Sequence, residues 1–149
     1  MTTLDTEVIG LATTPDVVQQ SVARLVKFLE TSGHEVPDDT FAPEVFADLT
    51  FPHWRIQVAG AEALVAGRQE LHPQQGEVRL EQVTGDERGY AVKLEERWRD
   101  GGEDWYCREG FMCLLDASGR IEDLSLYCTG DWSEARVREH ADAVTLIRP

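Results

Sequence analysis

The run Glu103-Asp104-Trp105-Tyr106-Cys107-Arg108-Glu109-Gly110-Phe111-Met112-Cys113-Leu114-Leu115, the turn Asp116-Ala117-Ser118-Gly119-Arg120-Ile121 and the run Glu122–Cys128 decide the fold. Both runs are rich in β-formers and apolar residues, and Asp, Ser and Gly build the turn between them. Working upstream, Gly89–Arg99 reads as a third strand, joined to Glu103 by the hairpin turn Asp100-Gly101-Gly102. Glu77–Thr84 reads as a fourth, joined through Gly85-Asp86-Glu87-Arg88-Gly89. Two of these strands carry an acid among apolar neighbours. Glu96 lies among Val92, Leu94 and Trp98, and Glu109 among Cys107, Phe111 and Cys113.

Strand alternation sorts the side chains. Val92, Leu94, Glu96 and Trp98 share one face, while Ala91, Lys93, Glu95, Arg97 and Arg99 share the other. The first set is the more apolar and is placed inward. Trp105, Cys107, Glu109, Phe111, Cys113 and Leu115 share a face of the next strand. Pairing Trp98 with Trp105 across the turn sets Glu96 opposite Cys107 and Leu94 opposite Glu109. The two acids then become diagonal neighbours on one face. By the same logic Leu124, Leu126 and Cys128 face inward on the last strand. A slip of one residue would reverse every assignment.

Before the strands, the chain reads as helical. Residues 1–13 are expected to form a flexible tail. Thr14-Pro15-Asp16 is a helix start, and Val18, Val22, Leu25, Val26 and Leu29 recur at helical spacing until Gly33. Pro37–Phe46 is expected to be a short second helix containing a turn, with Val45–Phe51 as a short strand. Pro52 breaks regular structure in Phe51-Pro52-His53-Trp54. Gly60–Leu71 reads as a third helix, His72–Gly76 as a loop and Asp131–Ala143 as a closing helix. Helices followed by a strand meander give an α+β domain, with helices on one face of a bent antiparallel sheet.

The 149 residues suit one domain, and 42% hydrophobic content excludes a disordered chain. A net charge of -14 with no basic stripe excludes nucleic acid as a partner. No apolar run approaches the about 20 residues of a membrane span. Met1–Asp5 shows no basic segment leading into an apolar core, so a cytoplasmic location is expected. Cys107, Cys113 and Cys128 form no C-x-x-C pair, and buried reduced thiols are expected. His34, His72 and His140 are isolated, so no metal site and no cofactor are expected. Neither a Gly-rich phosphate loop nor a G-x-S-x-G motif is present.

The order of elements resembles the SnoaL-like polyketide cyclase and ketosteroid isomerase superfamily, which shares its fold with nuclear transport factor two. The resemblance runs from about residue 14 to residue 132. It rests on the helix from Thr14, the run Val45-Phe46-Ala47-Asp48-Leu49-Thr50-Phe51 and the helix opening at Gly60. The long strands joined through Asp116–Ile121 and the ending Tyr127-Cys128-Thr129-Gly130-Asp131-Trp132 complete it. It implies one cone-shaped domain over residues 1–149, with helices on a strongly curved antiparallel or mixed sheet. It also implies a homodimer through the outer sheet face. In ketosteroid isomerases the catalytic base lies just after the first strand, and His53 falls close to that place. The acid of their oxyanion hole aligns with Phe111, and Glu109 stands two residues earlier on the same face. Simple steroid isomerisation is therefore not expected.

Two carboxyls in an apolar pocket cannot both ionise cheaply, so one holds its proton beside a base. Glu96 and Glu109 are thus expected as an acid–base pair, with His53 assisting. Trp54, Val92, Leu94, Trp98, Cys107, Phe111, Leu124 and Leu126 are expected to shape the pocket. The expected function is a cofactor-independent cyclase, isomerase, dehydratase or hydrolase acting on a hydrophobic, polyketide-like small molecule. The alternative is a non-catalytic small-molecule-binding or accessory protein of the same fold. An open cone with a buried acid pair favours the enzyme, and a sealed cone with both acids in solvent favours the binder.

Overall fold

The long hairpins arise from local turns, and their register follows from the pattern of inward side chains. A computed structural model describes residues 8–148. Its elements are helix α1 (Asp16–Glu30), strands β1 (Phe41–Phe51) and β2 (Trp54–Ala59), helix α2 (Ala61–Leu71), strands β3 (Gly76–Asp86), β4 (Gly89–Asp100), β5 (Glu103–Leu115), β6 (Ile121–Cys128) and β7 (Trp132–Ser133), and helix α3 (Glu134–Ala143). Trp98 pairs with Trp105, Glu96 with Cys107 and Leu94 with Glu109, the register inferred from the sequence. The Asp116 carboxylate accepts the Ser118 and Arg120 backbone N–H groups and so pins the β5–β6 turn.

The strands form one sheet in the order β2-β1-β6-β5-β4-β3, with β7 pairing β5 beyond the end of β6. β1 and β6 run parallel and the other pairs antiparallel, so the sheet is mixed. Helix α1 presents Val18, Val22, Leu25, Val26 and Leu29 as one buried face and lies across β3 and β4. Gly33, at φ 77°, lets the chain turn back, and its N–H caps the Phe28 carbonyl. Helix α2 packs on β1 and β2. The three helices and the mixed sheet make the α+β architecture expected of this sequence.

Several local expectations are corrected. Pro37–Phe46 is not a helix: residues 37–40 turn, and Phe41–Phe51 is one strand. Pro43 sits where the β1–β6 register shifts between Phe41 and Phe46, so its missing N–H costs no ladder bond. Pro52 ends β1, but Trp54–Ala59 then returns as a strand. The expected tail is only partly testable, because residues 1–7 lie outside the described residues. From Val8 onward the chain is packed: Val8 and Leu11 are buried, and Ile9 bridges to Gln82 on β3. The closing helix starts at Glu134 rather than Asp131, and it buries no residue. No helix among the described residues is long and apolar enough to cross a membrane.

Candidate active site

A cavity of about 360 Å³ lies between the two long helices and the sheet. Strands β1, β2, β4, β5 and β6 all contribute to its wall, which shows how far the sheet wraps around its contents. Phe28, Phe51, Ile56, Val58, Leu64 and Leu71 make much of it apolar.

Alternation along β4 and β5 sends Glu96 and Glu109 into this cavity, and both are buried. Their carboxyls share a hydrogen bond. Sequence reading missed the third member, Arg68, carried on α2. Its Nη2 donates to Glu96 Oε1 at 2.5 Å and its Nη1 to Glu96 Oε2 at 3.2 Å. Nη2 also donates to the Leu29 carbonyl of α1 at 2.9 Å, tying the two helices together.

This arrangement separates the two acids chemically. Burial, the Glu96 charge and the shared hydrogen bond all push the Glu109 carboxyl well above the usual carboxylate range. Burial also works against ionised Glu96, but the hydrogen bond from Glu109 and the Arg68 guanidinium outweigh it and hold Glu96 low. The set is a neutral acid, a carboxylate and a guanidinium. Glu109 Oε1 is buried and accepts from no N–H or hydroxyl group.

Two further polar groups line the cavity. His72 follows α2 and packs edge-on against Trp98, with ring centroids 4.4 Å apart. Burial and then the nearby Arg68 charge lower its pKa, so the ring is held neutral. Asp131 follows β6, and burial raises its carboxyl. The Ser32 hydroxyl donates to the His72 carbonyl and fixes the end of α2.

Of the residues expected to shape the pocket, Trp54, Cys107, Phe111, Leu124 and Leu126 line it. Val92 and Leu94 point inward as expected but belong to the closed core rather than the cavity wall. Trp98 is also buried, and it backs His72 instead of lining the cavity. His53 is exposed in the β1–β2 turn and does not line the cavity. The structure does not bring it to the acid pair. The arginines nearest in sequence serve other acids on the outer face: Arg97 pairs with Glu95 and Arg108 with Glu81.

No family model matches this chain, and no curated protein does. Solved structures do. An NTF2-like protein of unknown function from Burkholderia xenovorans LB400 matches with a TM-score of 0.59 at 12% identity, over 89% of this chain and 96% of that one. An LEH-like epoxide hydrolase of M. tuberculosis matches with a TM-score of 0.58 at 12% identity, over 73% of this chain and 80% of that one. A protein from Jannaschia sp. CCS1 classed as a SnoaL-like polyketide cyclase matches with a TM-score of 0.56 at 14% identity, over 89% of this chain and 97% of that one. At such identities the likeness speaks for the fold alone. The chain has the NTF2-like fold, the one that its sequence resemblance to SnoaL-like proteins implied.

Proposed function

We propose that this protein is a cofactor-independent acid–base enzyme that acts on a hydrophobic, polyketide-like small molecule. The observation that carries this reading is the Glu96–Glu109 pair, anchored by one guanidinium on the wall of an apolar cavity. A substrate oxygen that reaches Glu109 takes over the hydrogen bond now given to Glu96. Proton donation from Glu109 then neutralises charge developing on that oxygen, as enolisation, cyclisation, dehydration or epoxide opening requires. Glu96, released from Glu109 but still held by Arg68, is the base that completes the cycle. Desolvation in the apolar cavity strengthens each of these interactions.

The first experiment is a turnover screen of hydrophobic ketones, enones and epoxides, with ligand binding followed in parallel. Conversion that requires both carboxyls supports the enzyme. Tight binding with no conversion across all three classes returns the protein to the binding-module alternative.

The cavity rim gives a separate expectation. Trp54 lines the cavity yet is 72% exposed, so its indole covers a ligand more than it supports the core. Trp54→Ala weakens hydrophobic-ligand affinity by about 1–2 kcal/mol, while the unfolding midpoint stays within about 0.5 kcal/mol of wild type. Calorimetry and urea denaturation check the two halves.

The same reading includes a homodimer through the outer sheet face. Phe46, Met112, Leu114 and Tyr127 are exposed there on adjacent strands β1, β5 and β6. Light scattering at the eluting peak tests it, and a monomer at micromolar concentration counts against it.

A further inference from the structure

We propose that the cavity wall holds a binding site for a soft divalent cation of the Zn²⁺ class, formed by Cys107, Glu109 and Cys128. Each residue offers one ligand atom, and the three atoms lie within 4.8 Å of one another. The ligand atoms of a tetrahedral zinc site lie about 3.5–3.8 Å apart, given Zn–S near about 2.3 Å and Zn–O near about 2.0 Å. Modest rotamer adjustment of two thiols and a carboxyl covers that difference.

The sheet builds the triad. Cys107 and Glu109 are two apart on β5, so they share a face, and Cys128 on β6 stands directly opposite Glu109. Sequence spacing hides the triad, because the third ligand arrives by strand register and not by a short motif.

An independent feature points to a ligand here. Glu109 Oε1 is buried and accepts from no N–H or hydroxyl group, a costly condition that a cation would relieve. Outer partners are also in place. The Gly130 N–H donates to Cys128 Sγ at 3.3 Å, and Glu96 flanks Glu109 under the control of Arg68. Cys107, Glu109 and Cys128 all line the cavity, so a fourth coordination position faces the ligand space. Three protein ligands with one open position is the pattern of a reactive rather than a purely structural zinc site. Two sulfurs select Zn²⁺, Co²⁺ or Cd²⁺ over Mg²⁺ and Ca²⁺, which prefer all-oxygen shells.

This inference does not rest on the acid–base reading. The two compete for Glu109, since a carboxylate bound to metal has no proton to give. The test is Co²⁺ titration of the reduced, metal-stripped full chain. The expected result is one Co²⁺ per chain with a sulfur-to-cobalt charge-transfer band, and Zn²⁺ displaces it. The C107S/C128S double variant loses the band, and C113S, whose sulfur lies outside the triad, keeps it. Glu109→Gln keeps both sulfurs and weakens Co²⁺ by more than the about 10–100-fold typical of an outer-shell loss. Should the double variant fail to fold, the wild-type chain supplies a second readout. Zn²⁺ raises its Tm and Mg²⁺ at equal concentration does not. Absence of the band, its survival in a folded double variant, or equal Tm gains from Zn²⁺ and Mg²⁺ overturns the site. Equal gains would mean diffuse binding to a chain of net charge -14. Metal-free turnover is measured separately, so loss of this site leaves the acid–base reading standing.

Discussion

Glu109→Gln keeps the fold and lowers turnover by about 10²–10⁴-fold, the usual worth of a positioned general acid or base. Gln has nearly the volume of a neutral Glu, and its amide N–H can donate to Glu96 as the protonated carboxyl does. The change therefore removes a transferable proton and little else. Its effect on stability has a sign that a structural residue would not give. The folded-state pKa of Glu109 is raised. Its contribution is therefore fully present below the unfolded carboxyl's pKa and is lost as pH rises through the folded value. At neutral pH the wild-type chain carries that loss and the Gln variant does not. Urea unfolding across pH is thus expected to show Glu109→Gln at least as stable as wild type at neutral pH, with the advantage vanishing in acid. Undiminished turnover by a folded Glu109→Gln protein would remove Glu109 from the chemistry.

Arg68→Leu is expected to cost about 3–5 kcal/mol of stability, because it strands the Glu96 carboxylate in the interior without its partner. The Arg68 and Glu96 side chains are only 13% and 5% exposed, so water does little to replace the lost charge. Adding Glu96→Leu removes the stranded charge, and the double variant recovers most of the loss. Recovery stays incomplete, since the hydrogen bond from Arg68 to the Leu29 carbonyl is absent in both proteins. A double-mutant cycle in urea measures the coupling. A single variant that unfolds like wild type would show the pair to be solvated.

The readable parts of this chain were those set by neighbours in sequence. The Asp100–Gly102 turn fixes the β4–β5 register, and that register places Glu96 and Glu109 on the cavity side without any knowledge of the helices. Arg68 was not legible, because it meets Glu96 only when α2 folds over the sheet. His72 follows the same helix and was hidden for the same reason. Val92 and Leu94 show that alternation gives the face of a strand but not the place along it where core gives way to cavity. His53 failed differently. Its place came from the resemblance, and the tight β1–β2 turn exposes it while Trp54, one residue on, lines the cavity. The strand expected over Val45–Phe51 is present, but the start of β1 was misread and β2 missed because Pro43 and Pro52 look like helix and loop signals. One falls at a register shift and the other in the β1–β2 turn.

The parallel pairing of β1 with β6 also orders the folding of the molecule. Strands β3 to β6 follow one another as hairpins and can zip by short loop closures, whereas Ala47 must find Leu124 across most of the chain. The acid pair is thus laid down on the early meander, while the apolar wall from β1, β2 and α2 docks late. Local opening would run the same course backwards, freeing that wall first and leaving the β4–β5 hairpin paired.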